Sequence, residues 1–162
     1  MEIQVSQLIV RFLQQLGVDT IFGIPGAHIL PVYDALYDSG IQSVLVKHEQ
    51  GAAFMAGGLA RATGRIGACI TTTGPGATNL VTGIANAYVD KLPVIGITGE
   101  VPTYAFGKGG LQESSGEGGT VDQAALDAVL VLIEIGEAED AERAGIRLEL
   151  SDDQVVVLAR LH

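Results

Sequence analysis

The sequence predicts an α/β fold: a three-layer parallel sheet with helices on both faces. Three observations carry that prediction. Apolar runs of strand length alternate with segments of helical periodicity. The runs are almost continuously apolar, as expected of strands buried on both faces. Gly- and Pro-containing turns follow several of them, and the intervening helices supply the crossovers that parallel neighbours need.

Taken in order, Val5, Leu8, Ile9, Phe12, Leu13 and Leu16 recur at helical spacing, and Gly17 follows as a C′ residue. Thr20–Ile24 is a short apolar strand ended by Pro25-Gly26, and Leu30–Tyr37 a helix stopped near Gly40. Ser43–Val46 is the second strand and Gly51–Gly64 a helix of small residues. Gly67–Thr72 gives a third strand, Ala77–Tyr88 a helix after a Gly-rich turn, and Val94–Thr98 a fourth strand. The glycine-rich stretch 99–120 has few apolar residues and reads as a long functional or mobile loop. Beyond it the periodicity is ambiguous. Val129–Ile135 fits a strand or a buried helix and Glu137–Ala144 a helix. Ile146–Leu150 fits an edge strand, and Val155–Leu158 another short one.

With 162 residues, 48% apolar and 17% charged, the chain is expected to form one domain spanning residues 1–162. Glycine, at 22 residues, is about twice average usage, without the period of collagen. A net charge of −10 argues against nucleic acid or an anionic membrane surface as partner. No apolar run is long enough to span a membrane. The charge is uneven: residues 117–162 hold eleven acidic and three basic residues, net −8, against −2 for residues 1–116. The lone Cys69 reads as a buried small hydrophobe in a reducing compartment. Glu2 follows Met1 with no basic n-region, so a cytoplasmic location is expected.

Ligands of open parallel sheets bind beyond the carboxyl ends of the strands. That rule selects Gly23-Ile24-Pro25-Gly26, Lys47-His48-Glu49-Gln50, Thr72-Thr73-Gly74-Pro75-Gly76 and Thr98-Gly99-Glu100. Glu49 follows an apolar strand and precedes the small residues Gly51-Ala52-Ala53. Such a carboxylate suits proton exchange near neutrality; equally, it favours the dipole at the helix N-terminus. Thr72–Asn79 is either an anion-binding turn or a tight strand-to-helix turn. It lacks the lysine and spacing of a P-loop, and no G-x-G-x-x-G accompanies it. His28 and His48 have no partner at metal spacing and are more often structural than catalytic. No nucleophile elbow or Cys/His pair points to covalent hydrolysis.

Together these segments resemble one family. Phe22-Gly23-Ile24-Pro25-Gly26, the run His48-Glu49-Gln50-Gly51 through Ala60-Arg61-Ala62-Thr63-Gly64, Thr72 through Leu80, and Ala87-Tyr88-Val89-Asp90-Lys91-Leu92-Pro93-Val94 carry the resemblance. They look like the pyrimidine-binding (PYR) domain of thiamine diphosphate enzymes, in its acetolactate synthase-like branch. The likeness is nearly continuous over 3–113 and weak over 120–162. It implies that Glu49 hydrogen-bonds N1′ of the cofactor's aminopyrimidine and promotes the imino tautomer that deprotonates the thiazolium carbon. The cofactor carries the carbanion chemistry and the protein supplies orientation and proton control. Pro25, Gly26, Thr72, Gly74, Pro75, Gly76 and Asn79 then shape the pyrimidine side, with glycine backbone against a flat ring. Gln112-Glu113 looks like the Gln-Glu of the family's substrate-side loop, so Gln112, and with less support His28, face the reaction chamber.

Two departures stand out. Gly57-Gly58-Leu59 replaces the family's usual Asp-Gly-Tyr, which puts helix packing and a subunit contact in doubt. The family also binds diphosphate through Mg²⁺ on a second (PP) domain, with Gly-Asp-Gly followed by Asn-Asn, and no Gly-Asp-Gly occurs in this sequence. The expected function is therefore a PYR component of a 2-keto acid decarboxylase or carboligase. It would hold the pyrimidine half of thiamine diphosphate and need a separate PP-domain subunit carrying Mg²⁺, with no metal on this chain. Two-subunit decarboxylases of the sulfopyruvate type are arranged in that way. The alternative is an isolated, truncated or engineered domain that folds and self-associates without catalysis; a flavodoxin-like nucleotide module rests on fold analogy alone. In either of the first two cases a homodimer through the Ala/Gly-rich helices is expected, since an unpartnered face would be an apolar patch.

Overall fold

The computed structural model describes residues 4–122 and 155–159. Its elements are α1 (Val5–Gln15), β1 (Thr20–Gly23), a 3₁₀ turn (Ala27–Ile29), α2 (Leu30–Tyr37), β2 (Gln42–Leu45), α3 (Glu49–Thr63), β3 (Gly67–Thr71), α4 (Pro75–Val89), β4 (Val94–Gly99) and β5 (Val155–Ala159). Strand order is β2-β1-β3-β4-β5. The first four strands are mutually parallel, as expected; β5 runs antiparallel to β4, pairing Gly99 with Val155 and Ile95 with Ala159. An apolar run such as Val155–Leu158 carries no information on strand direction, so this edge departs from a purely parallel sheet. The segments 129–135, 137–144 and 146–150 lie outside the described residues.

The two core clusters show why the helices divide between faces. On one face, Ile9, Val10 and Leu13 of α1 and Val32 and Leu36 of α2 pack on Ile21, Ala68, Ile70, Ile95 and Ile97. On the other, Ala52, Ala53, Ala56 and Ala60 of α3 and Leu80 and Ala87 of α4 pack on Cys69, Val94 and Phe22. The chain moves one way along the sheet from β1 to β2 and the opposite way from β2 to β3 and β4. Right-handed crossovers in opposite directions put α2 on one face and α3 and α4 on the other.

Small residues let the second layer approach closely. A Cβ on Gly67 would come within 2.1 Å of the Ala56 carbonyl oxygen, and one on Gly83 within 2.4 Å of Ala53 Cβ. Part of the small-residue surface of α3 and α4 is therefore used within the chain, where the helices cross. Gly57 is different: a Cβ there would meet Leu92 Cδ1 at 3.5 Å, an ordinary contact, and Gly58 faces open space.

Several element ends differ from expectation for local reasons. α3 begins at Glu49, not Gly51, because extended His48 caps it: His48 Nδ1 accepts from the Gln50 amide at 3.2 Å. α4 begins at Pro75, whose missing N–H costs nothing in a first turn. β2 sits one residue earlier than Ser43–Val46, its register set by Thr20↔Gln42. Residues 101–122 have no long element, only short 3₁₀ turns and a Ser115↔Asp122 bridge. Among the described residues no helix is long and apolar enough to cross a membrane.

Candidate functional site

Strand order reverses between β1 and β3, which makes their carboxyl ends the switch point where open parallel sheets leave a crevice. The segment after β1 supplies Pro25, Gly26 and His28; the segment after β3 supplies Thr72 through Gly76. These two segments touch. A Cβ on Gly26 would fall 2.6 Å from Thr72 Cβ, and His28 Nδ1 lies 3.4 Å from Thr72 Oγ1.

Glu49 enters the crevice from the start of α3. It is half-buried, and its Oε2 accepts from Asn79 Nδ2 of α4 at 3.0 Å. Among the described residues no donor reaches Oε1, which lies 3.8 Å from where a Cβ of Gly76 would stand. That same Cβ would fall 2.6 Å from Thr71 Oγ1, a fully buried hydroxyl with no hydrogen-bond partner among the described residues. The absence of a side chain at Gly76 thus avoids a collision with that hydroxyl and lets the turn lie close to the Glu49 carboxylate. The Glu49 carboxylate, with one oxygen held by Asn79 and no donor among the described residues on the other, suits a ring nitrogen that carries or shares a proton.

Gly74 adopts φ 64°, ψ −119° as the residue before α4, a conformation glycine accepts readily. A Cβ there would meet the Gln112 carbonyl oxygen at 2.5 Å. The loop after β4 therefore folds back over the turn, bringing Gln112 beside it; Gln112 is exposed and has φ 61°. Pro25 and Pro75 are exposed at the ends of their segments. The sequence-selected positions Gly26, His28, Thr72, Gly74, Gly76, Asn79, Glu49 and Gln112 are in this way brought to one end of the sheet. His48, by contrast, serves as a helix cap.

The sequence marked Thr98-Gly99-Glu100 as a strand-end stretch but gave Glu100 no role, and Glu100 forms the most connected polar centre here. Although buried, with 8% exposure, its Oε1 accepts from Thr73 Oγ1 at 2.9 Å and from the Val101 amide at 2.7 Å. Its Oε2 accepts from Ser114 Oγ at 3.0 Å. The neighbouring Glu113 accepts from Ser115 Oγ and from the amides of Gly107, Gly109 and Gly110, which hold its carboxyl below the usual range, the Ser115 contact most of all. The only available signal was position, since Thr98-Gly99-Glu100 ends a strand. Cys69 is fully buried in β3, and burial pushes its thiol up to about 12. Among the described residues no group of three or more His, Cys, Asp or Glu side chains is placed to hold a metal ion.

Residues 3–126 match the family model described as "Thiamine pyrophosphate enzyme, N-terminal TPP binding domain". The chain belongs to that family, and its four parallel strands flanked by helices are an α/β fold consistent with it. Its relatives point to one branch. It is 55% identical over 108 residues to the acetolactate synthase isozyme 2 large subunit of Escherichia coli, covering 67% of this chain and 20% of that protein. It is 52% identical over 117 residues to the acetolactate synthase large subunit of Mycobacterium tuberculosis (72% and 19%). It is 49% identical over 110 residues to the corresponding subunit of Lactococcus lactis (67% and 19%). The chain spans about one fifth of the length of these curated relatives. Family membership implies thiamine diphosphate as the cofactor.

Proposed function

We propose that this chain supplies the pyrimidine-side half of a thiamine diphosphate site acting on a 2-keto acid, by decarboxylation or by carboligation of the acetolactate type. The observation that carries this reading is the Glu49 carboxylate, with one oxygen fixed by Asn79 and the other, beside Gly76, without a donor among the described residues. When bound, thiamine diphosphate supplies the carbon nucleophile that adds to the keto carbonyl. The rest is the work of this chain's own residues. Glu49 Oε1 holds a proton at a ring nitrogen, Asn79 keeps the carboxylate oriented, and Gly26 and Gly76 let the backbone lie against the ring face. Pro25, Thr72, Gly74 and Pro75 shape the surrounding wall. Gln112, and His28 through its contact with Thr72, line the substrate side.

On this reading the diphosphate and its Mg²⁺ are held by a PP domain on another polypeptide segment, and residues 1–162 form one PYR-type domain. A homodimer in the cytoplasm is the expected setting, with the exposed Phe54 and Met55 of α3 among the residues covered. The test is reconstitution with a PP-domain chain, thiamine diphosphate and Mg²⁺, reading CO₂ release from pyruvate. Turnover that requires every component supports the proposal; equal turnover with Glu49→Ala contradicts it.

A second reading is a domain that folds and self-associates without catalysis. It is favoured by Gly57, which stands where the family usually has a carboxylate. Calorimetry with thiamine diphosphate and Mg²⁺ on the chain alone separates the possibilities. Tight stoichiometric binding would contradict the need for a PP domain, and weak binding that a PP-domain chain strengthens would contradict the second reading.

A further inference from the structure

Glu100 has no part in the functional reading given above, yet it is a buried carboxylate with all its partners on two loops. Among the described residues neither ion pair involves it. Its charge is met by hydroxyls and amides alone: Thr73 Oγ1, Ser114 Oγ and the Val101 amide, with the Ser114 amide at 3.4 Å. Ser114 Oγ in turn accepts from the Gly74 amide at 3.2 Å, and Thr73 Oγ1 lies 3.4 Å from the Gln112 carbonyl oxygen. The network therefore ties the turn 73–74 to the loop 112–114 at the end of β4. Between them Gln112 is held at φ 61°, a conformation that side-chain-bearing residues rarely adopt and that needs surrounding contacts to persist.

We propose that Glu100 is a positioning residue: through Thr73 and Ser114 it clamps the 110–114 loop onto the Gly74 turn and so fixes Gln112 at the substrate side of the crevice. That Gln112 meets a keto acid rests on the function proposed above; that Glu100 fixes the loop does not. A buried carboxylate suits this task because its two oxygens accept from several donors at once, and charged acceptors make the stronger hydrogen bonds. Removing it leaves buried hydroxyl and amide donors without an acceptor.

The test is amide exchange on the full 162-residue chain. Glu100→Ala should speed exchange at Gly74 and at residues 110–114 at least tenfold and leave Ile21 and Ile70 in β1 and β3 within twofold. Glu100→Gln, which keeps one acceptor oxygen and the side-chain length, should restore most of the protection. Unchanged loop exchange in Glu100→Ala would overturn the proposal, as would a uniform increase that includes the strands. If Glu100→Ala does not fold, Ser114→Ala carries the same expectations. In the reconstituted enzyme, Glu100→Ala should raise KM for pyruvate at least fivefold with kcat within twofold, and add little to Gln112→Ala. Full multiplication of the two effects would contradict positioning through Gln112. A reconstituted wild type without turnover would refute the proposed function and leave the exchange result standing as the test of the clamp.

Discussion

Asn79 Nδ2 donates to Glu49 Oε2 at 3.0 Å, so α4 fixes the carboxylate that begins α3. A hydrogen bond to a charged group contributes about 1.5–3 kcal/mol. Asn79→Ala should therefore lower turnover of the reconstituted enzyme by about tenfold or more, each tenfold step being about 1.4 kcal/mol. Asn79→Asp should be worse, because it sets a second negative charge beside the first. Steady-state rates check both; an Asp variant as active as wild type would contradict an orienting role for Asn79.

The glycines of the crevice and those of α3 should respond oppositely to alanine. Gly76→Ala places a methyl 2.6 Å from Thr71 Oγ1, and Gly26→Ala one 2.6 Å from Thr72 Cβ. Overpacking of this kind costs about 1–3 kcal/mol. Gly58→Ala meets nothing within 4 Å on an exposed stretch of α3 and should gain about 1 kcal/mol. Thermal melts read the contrast, and a destabilised Gly58→Ala would contradict it.

Lys91 ends α4 in a left-handed conformation, φ 55°, with its amide donating to the Tyr88 carbonyl and the Leu92 amide to that of Ala87. That pair of bonds is the Schellman arrangement, in which glycine is the usual occupant. Lys91→Gly should stabilise the domain by about 1 kcal/mol, the order of the penalty for a left-handed side-chain-bearing residue. Chemical denaturation measures it through a raised midpoint at constant slope.

Glu113 gives the 107–115 loop a pH dependence whose sign follows from its partners. Ser115 and the amides of Gly107, Gly110 and Gly109 favour the charged carboxylate, so its folded-state value is lowered. The stabilisation is complete above the unfolded value, about 4.3, and is lost as pH falls through the lower folded value. Amide chemical shifts of Gly109 and Gly110 should hold steady from neutrality down to that region and move together below it. A midpoint above the ordinary glutamate value would contradict the bonded geometry.

The four parallel strands and their helices were legible in the sequence because the strands are short and mostly apolar and several are closed by a Gly or Pro turn. Glu49 was legible as a strand-end carboxylate at a helix start, but position alone left proton exchange and a helix-dipole role equally open, and the family resemblance is what favoured the first. The role of Glu100 was not legible. Its partners Thr73 and Ser114 lie 27 and 14 positions away, and only the loop's return over Gly74 brings them together. His48 reads in the sequence as more often structural than catalytic, and it is structural: its ring nitrogen caps α3, a task that sequence rules give to Ser, Thr, Asp or Asn. The direction of β5 depends on the connection that leads into it and is invisible in five apolar residues.

The most direct test grafts residues 3–113 of this chain in place of the matching segment of the Escherichia coli acetolactate synthase isozyme 2 large subunit. Acetolactate formation by the graft is then compared with that of the same graft carrying Glu49→Ala. The account predicts an active graft that loses at least a hundredfold in turnover with the alanine, while thiamine diphosphate remains a requirement. Equal rates for the two grafts would contradict the claim that Glu49 is the proton-handling group of this domain.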